Sequence, residues 1–232
     1  PPSKPNMADA SDTGTLNSDD ITSIFTPTFS GTSENNAIIN IYSNIDGSIG
    51  TVNADGTGVW STAASALASG NHIITATATD ATGNMSSLSL ALSITIDVTQ
   101  PLVTSVPGLD PASNSGLTSD NISNDNTPTF VGTAEAYSIV TIYSGATLVG
   151  TTTTDLYGIW TVTASALAEG SNSITAKVTD LAGNANATAS PVLVIVVDVT
   201  LPSTPNAPDL DSGSDSGIST DNYTIDNTST FI

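Results

Sequence analysis

The chain of 232 residues has no cysteine, a single histidine and only two basic residues, Lys4 and Lys177. Without cysteine no disulfide can staple the fold, so stability must come from apolar cores and from any metal the chain holds. Lys and Arg are set against 22 Asp and Glu, a formal net charge of -20 at pH 7. Nucleic acid is excluded as a partner, because its phosphates are met by Lys and Arg. An anionic membrane surface is excluded on the same ground. No apolar run approaches the ~20 residues of a bilayer-crossing helix, so membrane insertion is not expected.

Catalytic groups are equally scarce. His72 stands alone near the start of a strand, and Asn172 takes its place in a second copy of the same pattern. A Ser–His–Asp arrangement is therefore not supported. Carboxylates abound, but they gather at the ends of strands rather than in a cleft with aromatics, which argues against a glycosidase. There is no phosphate loop. Aromatic residues make up 5%. Trp60 and Trp160 read as core residues, with a sugar platform as the alternative. The chain is not expected to be an enzyme.

What the chain does have is aspartate. Of its acidic residues only Glu34, Glu135 and Glu169 are glutamates. Asp is favoured in turns and is a common oxygen ligand in calcium loops, whereas a merely solvated acidic surface would mix the two. Hydrophobic residues are 38% and strongly periodic, which argues against disorder. The chain opens at Pro1 without a signal peptide and stops in mid-repeat at Thr228-Ser-Thr-Phe-Ile232. It is expected to be a piece of a longer protein.

Internal repetition is plain. Asp97-Val-Thr-Gln-Pro101 returns as Asp198-Val-Thr-Leu-Pro202. Thr26-Pro-Thr-Phe29 returns as Thr127-Pro-Thr-Phe130 and Thr228-Ser-Thr-Phe231. Ile41-Tyr42, Trp60, Ser65-Ala-Leu-Ala68 and Asp80-Ala-Thr-Gly-Asn84 have counterparts in Ile142-Tyr143, Trp160, Ser165-Ala-Leu-Ala168 and Asp180-Leu-Ala-Gly-Asn184. The period of about a hundred residues divides the chain into repeat one (1–98), repeat two (99–199) and an incomplete third (200–232) holding only its first strands.

Within each copy the apolar period is two, a strand signal. Leu90, Leu92, Ile94 and Ile96 fall on one face, matched by Leu193, Ile195 and Val197. Ile74, Ala76 and Ala78 are matched by Ile174, Ala176 and Val178, and Ile39 and Ile41 by Val140 and Ile142. No helical stripe occurs; Ala63 to Ala68 fits at most a single turn. Seven strands are predicted in repeat one, at 3–8, 26–32, 37–43, 48–54, 57–63, 71–79 and 87–97. Seven short alternating strands in about a hundred residues predict an all-β chain of tandem immunoglobulin-like sandwiches joined end to end, with a barrel or jelly roll as the alternative.

An up-and-down trace places the acids. Asp12, Asp19, Asp20, Asp46 and Asp97 fall at the C-terminal pole of repeat one. Glu135, Asp155, Asp180 and Asn184 fall at the N-terminal pole of repeat two, across the Asp97–Pro101 joint. So many carboxylates in one joint repel one another unless a cation sits among them. Calcium takes six to eight oxygens from Asp, Asn and carbonyl groups, whereas zinc prefers His and Cys. Ca2+ is the expected ion. The candidate ligands are Asp12, Asp19, Asp20, Asp97, Glu135, Asp180 and Asn184, with Asp110, Asp120 and Asp198 for the next joint and Glu34, Asp80 and Asn84 at the opposite pole of repeat one. Turn chemistry is the alternative for each Asp, and it is the expected role of Asp46 and Asp55 in hairpin turns. Asp125 faces Ile24 in the other copy, so a ligand role there could not be shared. Asp221 continues the series of Asp19 and Asp120 into the third copy.

The combination Asp-x-Thr-x-Pro, Ser-Asp-x-Gly, Thr-Pro-Thr-Phe-x-Gly-Thr, Ile-Tyr, Gly-x-Trp and Thr-Asp-x-x-Gly-Asn resembles the bacterial immunoglobulin-like repeats of giant RTX-type and biofilm-associated adhesins. The resemblance covers essentially the whole chain. It implies type I secretion, an extracellular or cell-surface location, long tandem arrays and calcium at the joints, with ligand-binding modules usually elsewhere. The function expected is a structural extender, or stalk, partnered by neighbouring repeats of the same chain. Two alternatives stand beside it. One is a glycan- or partner-binding module acting through Trp, Tyr137 and Tyr157. The other is a filament subunit that self-associates when the third repeat, through Tyr223, Ile225, Phe231 and Ile232, completes another molecule's sheet.

Overall fold

The computed structural model describes residues 1–102, 105–117, 119–212, 214–216, 222, 224–225 and 227–231. It forms two compact units, Pro1–Val199 and Thr200–Ile232. The first contains two β-sandwiches, each with its own apolar core.

Alternation of apolar and polar residues sets the strands of the first sandwich. They are β1 (Asn6–Met7), β2 (Ile21–Thr22), β3 (Thr28–Thr32), β4 (Ile38–Ser43), β5 (Gly47–Asn53), β6 (Val59–Ala63), β7 (Gly70–Thr79) and β8 (Leu92–Ile96). One sheet has the order β1-β3-β6 and the other β2-β8-β7-β4-β5. The second sandwich repeats this with β9 (Gly108–Leu109), β10 (Ile122–Ser123), β11 (Thr129–Thr133), β12 (Ile139–Ser144), β13 (Thr147–Thr153), β14 (Ile159–Thr163), β15 (Gly170–Thr179) and β16 (Leu193–Val197). Its sheets run β14-β11-β9 and β10-β16-β15-β12-β13. The all-β, tandem Ig-like architecture expected from the sequence is what forms.

The cores lie between the two sheets of each sandwich. Phe29, Ile39, Ile41, Trp60, Ile74, Ile94 and Ile96 fill the first, and Phe130, Val140, Ile142, Trp160, Ile174, Ile195 and Val197 the second. Both tryptophans are only 2% exposed, which removes the sugar-platform alternative. A Cβ on Gly31 would lie 2.5 Å from the Trp60 ring, and one on Gly132 would lie 2.4 Å from the Trp160 ring. The indole therefore needs the glycine of the Phe-x-Gly-Thr motif on the neighbouring strand, a packing requirement rather than a turn.

Three expectations are corrected. Each sandwich has eight strands, not seven, because the segment predicted as a loop between the strands at 3–8 and 26–32 contains a further short strand, β2. β1 pairs with β3, and β2 crosses to the other sheet and runs parallel to β8, with Ile21 opposite Thr95 and Thr22 opposite Ile96. Two residues are too few to show a period. The last strand begins at Leu92 rather than at 87, and Leu90 is 78% exposed. Ahead of β8 the chain bulges away from β7. The β7 N–H groups of Ala78 and Ala76 donate instead to the hydroxyls of Ser86 and Ser89, each at 3.0 Å. Ala63 to Ala68 forms no helical turn. Ser65 N–H donates to the Ile49 carbonyl at 2.7 Å and Leu67 N–H to that of Phe25 at 2.8 Å, which keeps the segment extended. Among the described residues the one helical element is a 3-10 turn, Asp9–Ser11.

The unit Thr200–Ile232 starts the same pattern. Leu210 bridges Phe231 antiparallel, as Leu109 pairs with Phe130 in the second sandwich. Ile225 and Phe231 are exposed. Gly217, Asp221, Tyr223 and Ile232 lie outside the described residues.

Candidate metal centre

The loop between β1 and β3 is built by its own side chains. Ser11 Oγ accepts the Thr28 N–H at 2.9 Å, and Thr13 Oγ1 accepts that of Ser23 at 2.8 Å. Asp12 Oδ2 accepts the Asp20 N–H at 3.3 Å, and Asp20 sits at φ +60°. The result is that Asp12 is only 7% exposed and its second oxygen, Oδ1, is buried with no hydrogen-bond partner. Burial raises the Asp12 carboxyl above its ordinary range; the Asp20 N–H opposes this, and the charges of Asp19 and Asp20 add to it. Asp20 is raised too, first by burial, with Lys4 acting against and Asp19 in favour.

This construction recurs in every copy. In the second sandwich Ser113 Oγ accepts the Thr129 N–H at 2.9 Å and Ser115 Oγ accepts that of Asn124 at 2.7 Å. In Thr200–Ile232, Ser214 Oγ accepts the Thr230 N–H at 3.1 Å and Ser216 Oγ accepts that of Ile225 at 3.0 Å. Between each hydroxyl pair stands a side-chain oxygen that is buried and has no partner: Asp12 Oδ1, Asn114 Oδ1 and Asp215 Oδ1. A buried acceptor left unpaired costs about 1–3 kcal/mol, and here the same position carries one in all three copies.

Across the joint, repeat two offers the turn between β15 and β16. Thr13 Oγ1 donates to the Ala182 carbonyl at 2.7 Å. Asn184 Nδ2 donates to the Asp97 carbonyl at 2.8 Å and to Asp180 Oδ2 at 2.9 Å. Backbones meet at the centre, since a Cβ on Gly14 would lie 1.9 Å from the Leu181 carbonyl oxygen. Gly14 has φ +111°, so both conformation and space require glycine there. Asp180 is buried in consequence, whereas its counterpart Asp80 at the other pole of repeat one is half-buried. Glu135 is raised above its ordinary range by burial and then by the charges of Asp180 and Asp97.

The candidates thus divide. Asp12, Asp19 and Asp20 share one loop of repeat one; Glu135, Asp180 and Asn184 face it from repeat two, and Asp97 at the end of β8 meets them, its carbonyl accepting from Asn184 and its Oδ1 from the Thr99 N–H. Asp80 is occupied as a turn residue: hydrogen bonds from Asn84 and Thr82 hold its carboxyl well below the ordinary range. Asp110 accepts the Ala112 N–H and Asp120 that of Ile122, both two residues on. Asp198 donates its N–H to the Ser123 carbonyl. Glu34 lines a hollow with Asp80 and Asn84. Among the described residues no group of three or more His, Cys, Asp or Glu side chains is close enough to hold a metal by itself. The joint fits an oxygen-seeking ion in its donor chemistry, with amide and carbonyl oxygens needed beside the carboxylates. Sequence reasoning missed Thr13 and the Leu181–Gly183 backbone. The alternation of Ser or Thr around a polar residue before Gly14, Gly116 and Gly217 was the available signal.

His72 is settled by geometry. Its ring is fully buried. Nε2 bonds the Ala68 carbonyl at 2.8 Å, and Nδ1 faces Ser43 Oγ at 2.8 Å with Asp46 Oδ2 at 3.4 Å. Serine and aspartate share one nitrogen, so no proton relay exists. Asn172 bonds Ala168 and Ser144 in the same way. Asp46, expected only to shape a turn, also accepts the Ala68 N–H.

The bacterial Ig-like domain model matches residues 1–98 and 101–199. The chain belongs to the bacterial Ig-like domain family. No curated protein matches these bacterial Ig-like repeats in sequence. Among solved structures, a biofilm-associated protein BSP domain is 20% identical over 86% of this chain and 30% of its own, with a TM-score of 0.27. A 1.5-MDa bacterial ice-binding adhesin is 21% identical over 79% of this chain and 62% of its own, with a TM-score of 0.39. Invasin, a bacterial integrin-binding protein, is 15% identical over 83% and 38%, with a TM-score of 0.31. The chain spans less than two thirds of each of these structures. Among the described residues no helix is long and apolar enough to cross a membrane.

Proposed function

We propose that these bacterial Ig-like repeats are an extender segment of a secreted, cell-surface adhesin, non-enzymatic, with a joint stiffened by Ca2+. Type I export and membership of a longer tandem array belong to this reading. The observation that carries it is the Asp12 oxygen: buried at the joint, unpartnered, and repeated by Asn114 and Asp215.

The chain's own residues set the geometry. Thr13 and Asn184 hold the two loops together, Gly14 lets the backbones touch, and Asp12, Asp20 and Glu135 carry charge that burial makes unfavourable. Asp12, Asp19, Asp20, Asp97, Glu135, Asp180 and the Asn184 amide oxygen would hold the ion, which would supply the positive charge that offsets their repulsion. Extracellular modules bind calcium with Kd of about 10⁻⁴–10⁻³ M. An ion present at about ten to a hundred times Kd adds roughly 1.4–2.7 kcal/mol to folded-state stability.

Small-angle scattering in millimolar calcium, in chelator and in magnesium tests the reading. A maximum dimension that is long in calcium and shorter or broadly distributed in chelator is expected. Superimposed profiles would sink the calcium joint and leave the aspartates as turn residues. Light scattering on the same samples is expected to give one concentration-independent monomer mass, and a mass that grows with concentration would favour a filament subunit.

A further inference from the structure

The two sandwiches differ sharply at one loop pair. In repeat one the tip between β3 and β4 carries Asn36 at φ +60°, and in repeat two the same position is Tyr137 at φ +62°. Asparagine enters the left-handed region readily, whereas a bulky side chain is strained there. The tip rests on its neighbour, the β13–β14 turn, through the Tyr137 N–H, which donates to the Asp155 carbonyl at 3.4 Å. That turn is held by Asp155 Oδ1, which accepts the N–H groups of Tyr157 and Ile159, each at 2.8 Å. It presents Leu156 and Tyr157 where repeat one has Gly56 and Thr57.

Tyr137, Leu156 and Tyr157 are 53%, 57% and 76% exposed. None of the three fills the core, so the core does not account for keeping a tyrosine in a strained conformation. Strain retained at an exposed position points to what the side chain does outside the fold. Asp155 and Glu135 flank the patch, and neither lysine serves it: Lys4 acts on Asp20, and Lys177 lies 5.8 Å from the Tyr143 ring. Exposed tyrosines are favoured anchors at protein interfaces, and their faces attract guanidinium groups. Carboxylates beside them, in a chain of net charge -20, select a partner of opposite sign.

We propose that Tyr137, Leu156 and Tyr157 form a contact patch for a basic, arginine-bearing protein surface, present in repeat two and absent from repeat one. The patch does not rest on calcium at the joint: with Glu135 engaged by the ion, Asp155 still supplies a carboxylate beside the tyrosines. The test uses the whole chain in calcium-containing buffer at physiological salt, with nona-arginine as probe and chitohexaose as the neutral saccharide arm. Nitrogen-15 amide shifts are followed on titration. Nona-arginine is expected to move amides at 135–137 and 155–159 beyond those of the matching loops in repeat one. The triple variant Tyr137→Asn, Leu156→Gly, Tyr157→Thr carries repeat one's own residues, keeps every charge and is expected to fold with an unchanged or higher Tm. It should weaken binding about tenfold or more. The reverse graft, Asn36→Tyr with Gly56→Leu and Thr57→Tyr, should add a second set of shifted amides. Equal binding by wild type and triple variant would reduce the effect to net charge and overturn the proposal. So would shifts at these loops with chitohexaose and none with nona-arginine, or no localised shift with either probe.

Discussion

Asp12 is a carboxylate that the fold buries with one oxygen unpartnered. Its pKa, like those of Asp20 and Glu135, is raised on folding. The folded state therefore binds protons more tightly than the unfolded chain, and stability falls as pH rises through the raised values. In chelator the melting temperature of Pro1–Val199 is expected to rise as pH is lowered from neutrality toward the acid edge of the carboxylate range. Below that window the loss of groups held low, such as Asp55 and Asp80, reverses the trend. In calcium the rise should vanish, because protons then compete with the ion. Asp12→Asn, the choice repeat two makes at Asn114, should flatten the chelator curve and shrink the calcium-induced increase in melting temperature. Scanning fluorimetry across pH with and without chelator decides it, and an Asp12→Asn protein identical to wild type in both series would remove Asp12 from the joint. The excess of Asp over Glu pointed to the residue type, and the trace of loops to the poles pointed to Asp12 among others. What composition lacked was the distinction between Asp12, with an oxygen left over, and Asp80, whose oxygens are taken by its own turn. That difference lies in which N–H groups a loop brings round, and no periodicity records it.

At the scale of elements, the strands that read clearly are the ones with two or three alternating apolar positions repeated in register by the second copy, β4 and β7 with their counterparts β12 and β15. β2 and β10 were invisible because two residues carry no pattern and their partners are parallel and distant in sequence. The misread start of β8 has a different cause: Leu90 continues the alternation on paper, but the chain has already left the sheet. There Ser86 and Ser89 supply acceptors that the missing strand would have supplied. Replacing Ser89 by Ala leaves the Ala76 N–H without its acceptor and should cost about 1–3 kcal/mol, read as a lower urea midpoint. It should also speed hydrogen exchange at Ala76 and leave Ile39 and Ile41 protected. Unchanged exchange at Ala76 would mean that water takes the place of the hydroxyl without cost.

At the scale of the molecule, the repeat legible in the sequence produces two cores on the same plan, the second richer in valine, and a joint at which the two sandwiches touch. Thr13 and Asn184 make that contact from opposite sides, and each hydrogen bond contributes about 0.5–1.5 kcal/mol net. Thr13→Val together with Asn184→Ala should therefore uncouple the two sandwiches in chelator, giving two calorimetric transitions in place of one. A single transition in the double variant would mean that the Gly14–Leu181 backbone contact suffices.

The parallel pairing of β2 with β8 carries a consequence for a chain under load. Asp97 leaves β8 toward the next domain while its N–H is tied to the Thr22 carbonyl, and the Thr95 N–H is tied to that of Asp20. Tension along the polypeptide draws β8 one way and β2 the other, along the strand axis, so these bonds are sheared together rather than unzipped in sequence. A domain loaded in this way is expected to give way in one step when these bonds break together, rather than strand by strand.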